Sequence, residues 1–131
     1  MAVGDITKIP AGGIQLDKEP LCVGGTTTTM YFGDDRGRVK SVTTSGVVAE
    51  LTTKCIMVAE KLAAVLYTSS ALCLVTENGK VYTVGTDGSS LTKIADLQTK
   101  VKCAYYYSSY IYCFLEGIRQ GGSSIVKVQI A

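Results

Sequence analysis

The sequence predicts an all-β chain of three four-stranded units, and three observations carry that prediction. TTMYFGDDRGRVKSV, residues 28–42, aligns without a gap over SALCLVTENGKVYTV, residues 70–84, at an offset of 42. A third copy follows at an offset of 39, where Ser108 and Ser109 repeat Ser69 and Ser70 and Glu116 repeats Glu77. Finally, Ile6, Thr7, Lys8 and Ile9 echo Leu91, Thr92, Lys93 and Ile94.

Each copy reads as an apolar run, an acidic turn containing glycine, and an alternating run. That is hairpin chemistry, with glycine supplying the positive φ of a tight turn. In the first unit the expected strands are residues 20–24, 28–33, 38–43 and 47–51. In the second they are 62–68, 72–76, 80–85 and 91–97, and in the third 102–107, 110–115 and 124–130. The third unit stops one strand early, and the missing strand is the one that reads LTKI in the second unit. The N-terminal strand, residues 5–10, is therefore expected to close the last sheet. Its Ile6, Thr7, Lys8 and Ile9 would lie beside Ile125, Val126, Lys127 and Val128. One segment competes with this scheme: residues 55–66, CIMVAEKLAAVL, have good helix formers and could make three helical turns on local propensity. The repeat favours a strand, because PLCVGG and VKCAYYY at the equivalent places are poor helix material.

The stretch LCLVTENGKVYTVGTDGSSLTKI resembles a generic β-propeller blade: strand, acidic glycine turn, GKVY-type strand, DG turn and outer strand. The resemblance covers nearly the whole chain as three units. The WD and GH signatures of the WD40 family are absent and there is no tryptophan, so blade architecture is implied and no particular propeller family. The expected organisation is a single domain over residues 1–131, with units near 18–53, 54–98 and 99–131 plus 1–11. Propellers are rings of typically four to eight blades. Three blades leave two end faces open, and a two-fold dimer would give six, so the chain is expected to pair with itself or to dock on blades of a partner protein. A β-trefoil or a β-prism also has three units of this length and closes as a monomer, and both remain alternatives.

At 131 residues, 47% hydrophobic and 18% charged, the chain is globular and fits one domain. Its longest apolar run is broken by Glu60 and Lys61, so no membrane segment is expected, and nothing marks a secretory signal. A cytoplasmic setting is the default. Thirteen basic and eleven acidic side chains are mixed along the chain, which gives no basic track for nucleic acid. Cys22, Cys55, Cys73, Cys103 and Cys113 are odd in number and sit in apolar runs, and read as buried free thiols of a reducing compartment. With no CxxC spacing and no histidine, neither a metal site nor a cofactor is expected.

The lack of histidine also removes Ser-His-Asp and Cys-His catalysis, so the chain reads as a non-enzyme. Asp34 and Asp35 form the one acidic pair that could act as a dyad or hold a cation. Acids recur at the same turn as Glu77 and Glu116, so the simpler reading is a solvated bend. The run YYYSSYIYCF is the candidate interface. Alternation sends Tyr105 and Tyr107 to one face and Tyr106 to the other, then Tyr110 and Tyr112 to one face. Packing between neighbouring blades is the simpler reading of these tyrosines; a protein contact suits them too, because the ring is apolar and the hydroxyl stays wet, and a sugar platform is a third reading. The expected function is a structural or protein-interaction module that oligomerises to complete a ring, as in a phage or viral virion component. A carbohydrate-binding lectin is the alternative.

Overall fold

The computed structural model describes residues 2–8, 20–26, 28–50, 58, 60–116 and 124–130. Eleven strands are defined there, and no helix. The first sheet holds β1 (Cys22–Gly25), β2 (Thr29–Gly33), β3 (Val39–Thr43) and β4 (Val48–Glu50), paired in chain order. In the second, β5 (Leu62–Tyr67), β6 (Ala71–Thr76), β7 (Lys80–Gly85) and β8 (Thr92–Asp96) follow the same order. The third contains β9 (Val101–Tyr107), β10 (Tyr110–Leu115) and β11 (Ile125–Gln129). All pairings are antiparallel, as short connections between consecutive strands require. Residues 62–67 are strand β5, not helix: alternation places Ala64 on one face and Val65 on the other, and both find buried neighbours. The rest of the ambiguous segment, apart from residues 58, 60 and 61, lies outside the described residues.

The internal repeat is reproduced atom by atom at the hairpin turns. The Gly37 N–H donates to the Asp34 carbonyl at 3.3 Å, and 42 residues later the Gly79 N–H donates to the Thr76 carbonyl at 3.0 Å. Both glycines have positive φ, 79° and 94°, which explains why a glycine stands at this place in each copy.

The sheets stack face on face in chain order. Across the first interface, Tyr31 and Val39 meet Leu62, Val65, Leu72, Leu74 and Val84. Across the second, Ala64, Cys73, Val75 and Val81 meet Val101, Ile111 and Cys113. The middle sheet is therefore covered on both sides, and its β6 reads as the near-continuous apolar run ALCLV instead of alternating. Each fully buried Leu or Val contributes about 1.5–3 kcal/mol relative to an exposed one. The first strands of the three sheets lie in a row, β1 against β5 and β5 against β9.

The two steps between sheets share one backbone bond. The Val58 N–H reaches back to the Gly37 carbonyl at 3.3 Å, and the Leu97 N–H reaches back to the Gly79 carbonyl at 2.9 Å. The Leu62 N–H donates to the Asp34 carbonyl at 3.3 Å, while the Val101 N–H takes the Glu77 carbonyl at 2.9 Å, one place further along the turn because Asp34 corresponds to Thr76. The step from sheet one to sheet two thus resembles the step from sheet two to sheet three.

The N-terminal expectation is corrected in part. Residues 5–8 carry no strand; Ile6 is 97% exposed, and Thr7 and Lys8 are exposed as well. Ile9 and Pro10 lie outside the described residues. Upstream, residues 2–5 form a small turn in which the Asp5 N–H donates to the Ala2 carbonyl at 3.1 Å. The echoed LTKI explains the failure: in β8 Thr92, Lys93 and Ile94 are themselves exposed, so this four-residue pattern buries little side chain and has weak power to specify a strand. On the partner side, Ile125, Val126, Lys127 and Val128 do form a strand, β11, hydrogen-bonded to β10.

Candidate functional site

Two features stand out: the outward face of the third sheet, and a cleft where the starts of the inner strands converge. The face follows from register. Pairing places Tyr105 opposite Tyr112 and Tyr112 opposite Lys127, Cys103 opposite Phe114 and Phe114 opposite Ile125, and Tyr107 opposite Tyr110. Because side chains alternate along a strand, all of these share one surface. Tyr105 and Tyr107 are 62% and 63% exposed, Phe114 and Ile125 are also exposed, and Tyr110 and Tyr112 are half-buried. The Lys127 ammonium sits 4.5 Å above the Tyr110 ring, a cation–π contact within this surface. Tyr106 points the other way, into the cluster around Ile111 and Val128. The tyrosine alternation read from the sequence is the one found.

Cys103 departs from expectation. It lies exposed on this surface, whereas Cys73 and Cys113 are buried between the second and third sheets. Burial pushes the Cys73 thiol up to about 12 and the Cys113 thiol up to about 11, so both stay protonated and inert. Cys22 is in β1, where its side chain is not described, and Cys55 is outside the described residues. Among the described residues no group of histidine, cysteine or acid side chains could hold a metal ion. Among them also, no helix is long and apolar enough to cross a membrane.

The acidic pair is not a dyad. Asp34 is buried, and its carboxylate accepts the backbone N–H groups of Arg36 at 2.9 Å and Arg38 at 3.0 Å and the Arg38 Nε–H at 3.2 Å. Asp35 is exposed. The acids of the turns therefore work differently from the solvated bend expected: Asp34 is a buried cap, while Glu77 and Glu116 reach Lys61 at 3.3 Å and Lys102 at 3.7 Å.

Those last pairs frame the cleft. It has a volume of about 470 Å³, within the range of small-ligand sites. Leu62 and Val101, both 2% exposed, give it an apolar floor, and Leu21 and Ala63 complete that lining. Lys61, Lys100, Lys102, Glu77 and Glu116 form the charged walls. The backbone fixes them, since the Glu77 N–H donates to the Lys61 carbonyl at 2.7 Å and the Glu116 N–H to the Lys100 carbonyl at 2.9 Å. Sequence reading missed the cleft, although Lys61 and Lys100 are equivalent at the offset of 39 and were available as a signal.

No protein-family model matches the chain, and no curated protein matches it. Among solved structures the chain is similar to the crystal structure of the computationally designed Ika4 protein, with a TM-score of 0.53 and 9% identity over 89% of this chain and 94% of that one. At that identity the likeness concerns the fold alone, and it supports an all-β architecture of repeated antiparallel sheets.

Proposed function

We propose that the chain is a non-enzymatic assembly module that associates head to tail with a second copy, so that six sheets close a propeller-like ring. The observation that carries this reading is the outward face of the third sheet. On the equivalent face of the middle sheet, Cys73 and Val75 are fully buried by the sheet that follows it. At the offset of 39, Cys73 and Val75 correspond to Tyr112 and Phe114, which have no following sheet within the described residues. An aromatic surface of this kind favours association by removing apolar area from water.

The occupant follows from the repeat. Sheet one meets sheet two through the same face that sheet two turns to sheet three, and the Val58 and Leu97 bonds of the two steps are equivalent. A third step of the same kind would set the outward face of sheet three against the side of another copy's first sheet that carries Met30, Val42 and Val48. Met30 and Val42 are half-buried there and Val48 is exposed. Two such contacts related by a two-fold axis close six sheets, within the usual range for propellers.

The test places charge on the face. Phe114→Glu combined with Tyr105→Glu leaves the buried cores untouched and is expected to give folded monomers by sedimentation with strand-type circular dichroism retained. A double variant that keeps the wild-type assembly would overturn the proposal.

A further inference from the structure

We propose that the cleft between the second and third sheets binds a carboxylate-bearing ligand, such as an acidic side chain or a chain end, with Lys100 as its anchor. This does not rest on ring closure. The repeat symmetry is broken at the lysines of the cleft. Lys61 and Lys100 occupy equivalent places before β5 and β9, and each offers its carbonyl to the glutamate N–H across the sheet. By that equivalence Lys100 should pair with Glu116 as Lys61 pairs with Glu77. Instead Lys102 takes Glu116, at 3.7 Å. Among the described residues no carboxylate pairs with Lys100, so the cleft holds one cation beyond its two ion pairs.

The chemistry of the lining defines the ligand. The apolar floor of Leu62 and Val101 suits an aliphatic portion, while the surplus ammonium favours one negative group beside it. Lys61 and Lys102 are half to two-thirds exposed, so their ion pairs are weak and either ammonium can turn to a bound anion at little cost. Lysine presents a point charge rather than a guanidinium fork, which gives an affinity on the order of millimolar to tens of micromolar for a small ligand. The backbone at Glu77 and Val101 is committed to bonds between the sheets, so the pocket is preformed.

The experiment is a nitrogen-15 amide titration of the full chain with N-acetyl-leucyl-glutamate. Saturable shifts are expected at residues 61–63, 77, 100–102 and 116, and Lys100→Gln should weaken binding about tenfold or more while Lys100→Arg largely restores it. Lys93→Gln, at an ion pair with Asp96 away from the cleft, should change nothing. The proposal is overturned if no saturable shift appears by about 10 mM, if the uncharged amide of the same peptide binds equally, or if Lys100→Gln binds as wild type does. Binding of inorganic phosphate in place of the peptide would likewise reject a carboxylate ligand. Because Glu substitutions on the outward face leave the cleft intact, the same titration on the Phe114→Glu, Tyr105→Glu chain separates the two proposals.

Discussion

Arg38 holds both oxygens of the buried Asp34 carboxylate, its backbone N–H on Oδ1 at 3.0 Å and its Nε–H on Oδ2 at 3.2 Å. In the second unit the Lys80 N–H donates to Thr76 Oγ1 at 3.0 Å from the equivalent place. A carboxylate and a hydroxyl thus perform one task, closing the hairpin between the middle strands. Asp34→Ala removes the acceptor of two backbone N–H groups and of the Arg38 Nε–H, and should cost about 2–3 kcal/mol in urea unfolding. Thr76→Val, at similar volume, loses the bond from the Lys80 N–H and the bond of the Thr76 hydroxyl to the Glu60 carboxylate, and should cost about 1–2 kcal/mol. Equal costs at the two sites would contradict this account of the turn.

Gly24 sits where β1 crosses β5, and a Cβ there would run into the Val65 backbone carbonyl. Gly24→Ala should therefore push the first sheet off the second and destabilise by about 1–3 kcal/mol. An alanine chain that unfolds at the wild-type denaturant concentration would argue against close packing of the inner strands.

Glu60 and Lys80 form an ion pair beside the second sheet, and the Lys80 ammonium holds the Glu60 carboxyl below its ordinary 4.5. A depressed carboxyl contributes stability that is full above its unfolded value and is lost as pH falls through the folded one. Lys80 is raised from 10.5 by Glu60, so its share is present below that value and lost as pH rises through the folded one. Thermal melts should show the gap between wild type and Lys80→Met shrinking as the pH falls below 4.5. A gap that stays constant down to about pH 2 would exclude the pair as a source of stability.

Thiol labelling separates the cysteines. Under native conditions iodoacetamide should modify the exposed Cys103, while Cys73 and Cys113, buried and with thiols pushed up to about 12 and 11, react only after unfolding. Peptide mapping by mass spectrometry reads this directly. In the assembled form Cys103 should also slow, because it lies on the proposed contact face; unchanged labelling upon dissociation would count against that face.

Much of this architecture is legible in the sequence for a physical reason. Gapless repetition fixes turn positions, turns fix hairpins, and alternation fixes faces, so the strands around Leu72, Val81 and Ile111 fall where the pattern puts them. The segment at Ile6 misled because similarity among exposed residues such as Thr92 and Lys93 reflects no packing constraint. Cys103 misled for a related reason: its apolar surroundings in the sequence belong to a face with no described sheet over it. The cleft was legible only through the repeat equivalence of Lys61 and Lys100, because Lys61, Glu77, Lys100 and Glu116 come together across two sheets and no local spacing encodes that.

The direct test of head-to-tail assembly is the mass of the wild-type chain in solution, by sedimentation equilibrium over a dilution series from about 100 to 1 micromolar. A species of twice the 13.9 kDa chain is expected to persist at micromolar concentration. A monomer throughout that range would contradict it, leaving the outward face of the third sheet without its proposed partner.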